Sequence, residues 1–422
     1  MAKFQKLTAV KGMEDVMPPN SRLWQYIEES ARSVFSAYGY HEIRTPIVEK
    51  TELFRRGVGE TTSIVEKEMY SFVDQGDASL TLRPEGTASV VRAYIESGSF
   101  VSDPIARYYY MGPMFRRERP QKGRQRQFYQ IGCELLGVES PLADAEVIAM
   151  TAHFLEEVGV EGIELEINSI GCPECRPTFN AALKEFLNEN EAGLCDDCKR
   201  RMERNPMRIL DCKNPVCREL VNRAPRLPDH WCAGCREHFG FVARALDQIG
   251  VKFRQNEKIV RGLDYYMRTA FEFTTTRLGS QSAVAAGGRY DGLVEELGGP
   301  AVAGVGFALG VERLALLMED QSKGAAAEDL VFFAVLGDAA QEAVLPIIQT
   351  LRRDGVRVEW DYASHSLKSQ MRRAAKSGAE TVVIIGDDEI AKGCAQVRNM
   401  RDATQREVRI RDLPMHFVQI GG

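Results

Sequence analysis

Residues 21 to 38 carry apolar positions at Leu23, Tyr26, Ile27, Ala31, Val34, Phe35 and Tyr38. That three-and-four spacing predicts one helical face. Tyr40 to Val48 lacks the period, and Pro46 keeps Thr45 out of helix, so an extended stretch is expected there. Strand-like runs follow at Met69 to Val73, Leu80 to Leu82, Arg107 to Met111 and Phe128 to Leu136. Some are joined by short connections containing Gly or Pro, which predicts an antiparallel sheet.

The pattern changes at Cys172. Residues 172–240 are cysteine-rich and locally basic and suggest a small, mostly helical insertion, which splits one domain into parts 1–171 and 241–320. Strand-like sequence returns at Leu263 to Thr275. The glycine-rich AAGGRYDGLVEELGG then leads into Gly304 to Met318, where Phe307, Val311, Leu314 and Met318 would share a helical face, leaving Glu312 and Arg313 off it. Residues 321–329 have linker composition. Beyond them VFFAVLG, a helix through Leu351, VRVEWDY, a helix over Leu367 to Ala375 and TVVIIG form a βαβαβ pattern, a separate α/β domain over 330–422.

A chain of 422 residues exceeds one compact core, so several domains are required. Hydrophobic residues make up 44% and charged residues 27%, the balance of a soluble globular protein. No run of eighteen apolar residues offers a membrane span, and MAKFQKLTAV lacks the apolar centre of an export signal, so a cytoplasmic location is expected. The net charge of −6 argues against a non-specific coat for nucleic acid but permits local basic patches. Ten cysteines in such a chain suggest reduced thiols or metal ligands before disulfides.

One patch is dense. Arg116, Arg117, Arg119, Lys122, Arg124 and Arg126 put six cations into eleven residues, opposed by Glu118 alone. A solvated loop is the usual fate of such a run, but RYYYMGPMF precedes it and QFYQIGCELLG follows. If the latter is a strand, Phe128, Gln130, Gly132 and Glu134 share a face, too polar for a core and suited to a pocket floor. Arginines at its rim could grip phosphate oxygens through paired N–H donors while Phe128 stacks on a base. Neither GxxxxGK[ST] nor a GxGxxG after a strand occurs, so a bound nucleotide would depend on these arginines.

At this point the sequence resembles a known family. FRRERPQKGRQRQF is similar to motif 2 of the class II aminoacyl-tRNA synthetases, GVGFALGVERL, which carries Arg313, to motif 3, and Tyr40 to Thr51 to the weaker, dimer-forming motif 1. RGLDYY (Arg261 to Tyr266) and AAGGRYDGL (Ala285 to Leu293) resemble the two motifs specific to histidyl-tRNA synthetases, and TLRPEGT and KGMEDVMP extend the likeness from about Lys11 to the C-terminus. The resemblance implies an α+β catalytic domain with an antiparallel sheet (the class II fold), a small insertion and a C-terminal α/β anticodon-binding domain. It implies histidine, ATP with Mg2+ and tRNA(His) as substrates and partners, a homodimer, and a histidyl-adenylate intermediate.

Position by position, the resemblance implies that Arg116, Arg124 and Arg313 bind the ATP phosphates and Phe128 stacks on adenine. Glu85, Thr87 and Gln130 would hold the substrate amino group, and Glu134 and Tyr266, with Tyr265 beside them, the imidazole. Arg261, with Arg116, would serve catalysis by sitting between carboxylate and α-phosphate. Arg119 and Gln121 would read the tRNA acceptor end. Lys199, Arg200, Arg201, Arg204 and Arg208 of the insertion, and Lys368, Arg372, Arg373 and Lys376 on a helix whose apolar face is Leu367, Met371 and Ala374 or Ala375, are further candidate tRNA contacts.

The cysteines stand apart from the family pattern. Cys172 with Cys175, Cys195 with Cys198, Cys212 with Cys217, and Cys232 with Cys235 form four close pairs, a spacing that suits one or two structural zinc sites. Unliganded thiols in a helical insertion fit the same spacing. Two other functions remain in view: a non-catalytic, histidine-sensing regulatory paralogue of ATP phosphoribosyltransferase, and a class II synthetase for proline or threonine. RGLDYY, Arg116, Arg313 and the last domain weigh against the first, and the histidine-specific strings against the second.

Overall fold

The computed structural model describes residues 6–60, 62–212, 214–279, 283–318, 330–363 and 365–418. The predicted linker at 321–329 and the side chain of Arg204 lie outside the described residues. The chain divides into two units, Met1–Gly324 and Ala325–Gly422.

The first unit is built on an eight-stranded sheet. In chain order its strands are β1 (His41–Glu42), β2 (Ala106–Phe115), β3 (Gln127–Leu136), β4 (Glu164–Ser169), β5 (Arg254–Gln255), β6 (Met267–Thr274), β7 (Ala283–Arg289) and β8 (Gly304–Gly310). Their spatial order is β1-β2-β3-β8-β7-β6-β4-β5. The interior pairings are antiparallel, as expected, but the two-residue edge strands β1 and β5 pair in parallel. β2 runs past the predicted Met111 through Pro113. Pairing with β1 stops at Tyr109, so the missing N–H of Pro113 falls on an open edge and costs no ladder bond.

Helices α1 (Asn20–Ala37), α2 (Thr87–Glu96), α3 (Pro141–Glu157), α4 (Arg176–Glu189), α5 (Asp196–Arg204), α6 (Pro215–Val221), α7 (Ala233–Gln248) and α8 (Val311–Met318) belong to the same unit. With them are a helix at Thr51–Val58, several shorter turns and a three-stranded antiparallel sheet in the order Val48–Lys50, Ser79–Leu82, Tyr70–Val73. The apolar face predicted for α1 is the one buried, with Ile27, Ala31 and Phe35 at 0% exposure. It joins α3, α7 and α8 on one side of the sheet, against Ile131, Cys133, Val305 and Phe307. α2 covers part of the other face beside Tyr265, Tyr266 and Tyr290. The insertion has a core of its own from Phe179 to Leu227, to which Val260 is added.

Two sequence expectations fail here. Gly304 to Gly310 is strand rather than helix, with the helix beginning at Val311. Phe307 and Val311 sit four apart by coincidence. The working period is two, with Val305, Phe307 and Leu309 in the helix-covered core and Gly306 opposite Glu134 on the other face. The strand expected from Leu263 begins only at Met267, because Arg261 to Tyr266 form a loop held by the insertion.

The second unit is a five-stranded sheet. Strands β9 (Val331–Leu336), β10 (Val358–Trp360) and β11 (Thr381–Gly386) are parallel, as the βαβαβ pattern predicts, with α9 (Asp338–Arg353) and α10 (Leu367–Ser377) between them. A hairpin, β12 (Cys394–Asn399) and β13 (Gln405–Arg409), extends it to the order β10-β9-β11-β12-β13. The buried side of α10 matches the expected one at Ala374, with Met371 packed beside it, but not at Leu367. It turns on Gln370 and Ala374, while Leu367 is exposed. Gln370 is at 0% exposure because its amide meets Val335 N (2.9 Å), Val335 O (2.7 Å) and His365 O (2.7 Å), leaving no polar atom unpaired. Among the described residues, no helix is long and apolar enough to cross a membrane.

Candidate active site

Alternation along β3 makes the site. Tyr129, Ile131, Cys133 and Leu135 face the helix-covered core, so Phe128, Gln130, Gly132 and Glu134 occupy the opposite face, as predicted. The floor is open only because its strands carry glycine at crowded points. A Cβ at Gly306 would collide with the Glu134 carboxylate, and one at Gly132 with the Tyr110 ring. Above this floor lies a cavity of about 260 Å³, lined among others by Glu85, Thr87, Arg116, Arg124, Phe128, Gln130, Arg261, Tyr265, Tyr266 and Arg313. The structure thus gathers onto one cavity every predicted ATP and histidine residue except Glu134, which lies buried beneath it.

Cations cluster around the hairpin of β2 and β3. Arg116 donates through Nε to the Pro84 carbonyl (2.9 Å) and lies 5.1 Å from the centre of the Phe128 ring. Arg124 pairs with Glu118 at 2.8 Å, and Arg116 reaches the same carboxylate at 3.9 Å. Arg313 donates to the carbonyls of Gly123 (3.1 Å) and Ala283 (2.8 Å), and burial together with the charges of Arg124 and Arg116 lowers its pKa. Three guanidinium groups crowded this way favour an anion. At the hairpin tip Gln121 N donates to Arg124 O (3.0 Å) and Arg124 N to Gln121 O (2.8 Å), with Gly123 at φ +73° closing the turn. Arg119 and Gln121 are exposed on this tip.

A buried polar group forms the other cluster. In RPEGT each residue has a separate task. Arg83 ties strands together through the carbonyls of Thr45 (2.9 Å) and Pro113 (3.0 Å), and the Pro84 carbonyl takes Arg116. The Glu85 carboxylate accepts from Thr87 N (2.7 Å) and Ala88 N (2.9 Å), capping the first turn of α2. Thr87 Oγ1 donates to Glu134 at 2.6 Å, and Tyr290 O–H donates to its other oxygen. Glu134 is 1% exposed, and burial, with Glu85 close by, pushes its pKa up to about 8. Arg261 Nη1 donates to Glu272 (2.9 Å), and its guanidinium stands 4.9 Å from the Tyr266 ring centre. Burial also pushes Glu312, which accepts from Tyr129 N (2.9 Å), up to about 7.

Several of these partners escaped the sequence reading. Glu118 was counted only as a stray anion. Tyr290 and Arg289 were seen only as part of a string. Arg289 in fact turns away from the cavity, at 0% exposure, to pair with Asp144 and the carbonyls of Val138 (3.0 Å) and Ser140 (3.1 Å), while Tyr290 reaches Glu134. Glu272 and Tyr110 carried no local signal.

The eight insertion thiols form two groups of four: Cys172, Cys175, Cys232 and Cys235, and Cys195, Cys198, Cys212 and Cys217. The first pair in the chain is matched with the last, and the two middle pairs with each other. The CxxC pairs sit at helix starts, with Cys195 and Cys232 at the N-cap positions of α5 and α7, where Cys232 accepts from Cys235 N. Of the insertion's basic residues, Lys199, Arg200 and Arg201 are exposed. Arg208 instead donates to the Gly262 carbonyl and stands 3.7 Å from Asp264.

A family model for histidyl-tRNA synthetase matches residues 12–314, and one for an anticodon-binding domain matches 330–419. The chain is 56% identical to the histidine–tRNA ligase of Geobacter metallireducens, over 95% of this chain and 97% of that one. It is 54% identical to that of Geobacter sulfurreducens over the same shares. The apo histidyl-tRNA synthetase of S. aureus is 35% identical, covering 98% of this chain and 100% of its own, with a TM-score of 0.82.

Proposed function

The chain belongs to the histidyl-tRNA synthetase family, and on that premise we propose a division of labour within its cavity. The reaction joins histidine to tRNA(His). The histidine carboxylate attacks the α-phosphate of ATP, diphosphate leaves, and the terminal ribose of the tRNA displaces AMP from the histidyl-adenylate. The catalytic domain has the class II synthetase fold, and the C-terminal unit is an anticodon-binding domain.

In our reading Arg116, Arg124 and Arg313 take the phosphates of ATP, which enters with Mg2+, and Phe128 takes the adenine. Glu85, Thr87 and Gln130 hold the amino group of histidine. Glu134, Tyr265 and Tyr266 surround the imidazole. Arg261 stands between carboxylate and α-phosphate and offsets charge as it builds in the transition state. The supporting observation is the pairing, on one cavity, of three crowded guanidinium groups with the buried, hydrogen-bonded Glu85 carboxylate, with Glu134 held just beneath the cavity. A pocket with partners for both ring nitrogens leaves polar groups unpaired when any other side chain enters. Such pockets discriminate by roughly 10⁴ or more without editing.

Arg119 and Gln121, exposed on the hairpin tip, are suited to the tRNA acceptor end. Lys199, Arg200 and Arg201 on the insertion, and the basic face of α10, are suited to backbone phosphates. Structural zinc in the thiol groups, a homodimer and a cytoplasmic location complete the reading. The non-catalytic regulatory alternative is disfavoured by full-length likeness to ligases and by the presence of the anticodon-binding unit. Histidine-dependent exchange of labelled diphosphate into ATP, followed by charging of tRNA(His), tests the whole. Exchange driven by another amino acid, or none at all, would overturn it.

A further inference from the structure

The two thiol groups have the dimensions of closed metal sites. Within each, all four sulfurs lie within 4.8 Å of one another. Cys172 and Cys175, Cys172 and Cys232, and Cys175 and Cys235 have sulfurs 3.7 Å apart, and Cys195 and Cys212 3.9 Å. A zinc tetrahedron with Zn–S of ≈ 2.3 Å has an edge of about 3.8 Å, whereas a disulfide would bring sulfurs to ≈ 2.05 Å. Backbone amides are already aimed at the sulfurs. Cys172 N donates to Cys175 Sγ (3.1 Å), Cys195 N to Cys217 Sγ (3.2 Å) and Cys235 N to Cys232 Sγ (3.4 Å). Such donors support bound thiolates. Gly171, at φ +76°, leaves room that a Cβ would take 2.9 Å from Cys175 Sγ. Cys198, Cys217 and Cys235 are at most 1% exposed, while Cys195 and Cys232 are partly exposed. Four thiolates per group would complete a tetrahedron and leave no position for water.

Both sites border the loop that carries Arg261. At the root of the insertion, Cys172 and Cys175 follow β4 directly, and Cys232 and Cys235 open α7. Arg176, the residue after Cys175, donates to the carbonyls of Ile170 (3.1 Å) and Tyr266. In the body of the insertion the other four thiols pack with Ile209, Leu210 and Val260. Just outside that core Asn205 Nδ2 donates to Asp264 (3.0 Å), and Arg208 to the Gly262 carbonyl. The segment Arg261 to Tyr266 is therefore gripped from both ends by elements whose own packing depends on the thiols.

We propose that each group binds one Zn2+, and that the two ions together fix the Arg261–Tyr266 loop, so that metal sets the affinity for histidine while taking no part in bond-making. The coupling rests on the assignment of this loop to histidine; the metal sites do not. Elemental analysis of the full chain, purified reduced and without chelator, should find two zinc per chain. The double variant Cys212→Ser/Cys217→Ser should keep one. Fewer than about half an equivalent in the wild type, with no thiolate absorption when Co2+ is added to chelator-treated protein, would overturn the sites.

In diphosphate exchange the same double variant should raise KM for histidine about tenfold, the scale of a lost supporting partner, with KM for ATP, which meets this loop through Arg261 alone, rising by a clearly smaller factor. Equal changes in both, or in neither, would overturn the coupling. Should the variant misfold, calorimetric binding of histidine to chelator-treated wild type, before and after Zn2+ is restored, replaces it. Recovery of affinity supports the coupling and its absence refutes it. A wild type that holds two zinc but shows no histidine-dependent exchange would sink the enzymatic reading and the coupling, and leave the metal sites standing.

Discussion

Around the hairpin, Arg116 and Arg124 stay within reach of water, with Arg124 39% exposed, and are held by a backbone carbonyl and by Glu118. In the other cluster Glu85 and Glu134 are sealed, at 3% and 1%, among helix amides, a threonine and tyrosines. The exposed cations suit a multiply charged ligand that must enter and leave on each cycle, since their charge is partly screened and they need little reorganisation. The sealed carboxylates suit discrimination, because a buried group that loses its partner costs about 1–3 kcal/mol. Affinity for phosphate and choice of amino acid are thus assigned to different dielectric surroundings within one cavity.

The variant Arg261→Ala should weaken this division most, since Arg261 would serve both substrates at once. Diphosphate exchange should fall on the order of 10² or more, as for loss of an oxyanion donor. Near-normal exchange would remove Arg261 from the mechanism. Next, Arg116→Ala and Glu134→Gln should separate cleanly. The first should raise KM for ATP about tenfold, the size of one charge-assisted hydrogen bond. The second should raise KM for histidine by a smaller, roughly severalfold factor, because Glu134, with its pKa raised to about 8, is largely neutral near pH 7. Added salt should erode ATP binding more than histidine binding. A shared effect on both substrates would mean the two clusters are not distinct.

The pH dependence of stability sharpens the contrast further. Glu134 has its pKa raised from 4.5 to about 8, chiefly by burial. As pH rises across that window the unfolded chain releases this proton and the folded chain keeps it, so the folded state loses stability. Glu134→Gln removes that loss. Its melting temperature relative to wild type should therefore improve between pH 5 and pH 8, on the order of a few degrees, and a constant difference would contradict the burial assigned to Glu134. The smallest effect is expected from Glu118→Gln. As a partly exposed pair it should change stability by less than about 1 kcal/mol, while tightening ATP slightly at low salt.

Much of the sealed cluster was legible because alternation along Gln127–Leu136 is a local property, and one good strand assignment oriented Phe128, Gln130 and Glu134 together. The tasks of Tyr290, Glu118 and Glu272 were not legible. Each depends on a partner brought in by sheet register or a hairpin fold. The matching of Cys172 and Cys175 with Cys232 and Cys235 spans some 60 residues and has no local correlate. Gly304–Gly310 misled because glycines at alternate positions remove the polar half of a strand pattern, leaving apolar residues that also fit a helix. In the second unit, strands Cys394–Asn399 and Gln405–Arg409 are too polar to stand out from loop, and only the pairing of the first with Thr381–Gly386 and of the second with the first defines them.

Glu118 carries a consequence for turnover. Before any nucleotide arrives, Arg124 is already neutralised by a carboxylate 2.8 Å away. On the proposed assignment, phosphate binding at this point would be an exchange of counter-ions rather than the making of a new pair, and the protein would recover its own anion when diphosphate departs. The net attraction would then be smaller than the number of arginines suggests, and so would the barrier to letting the product go.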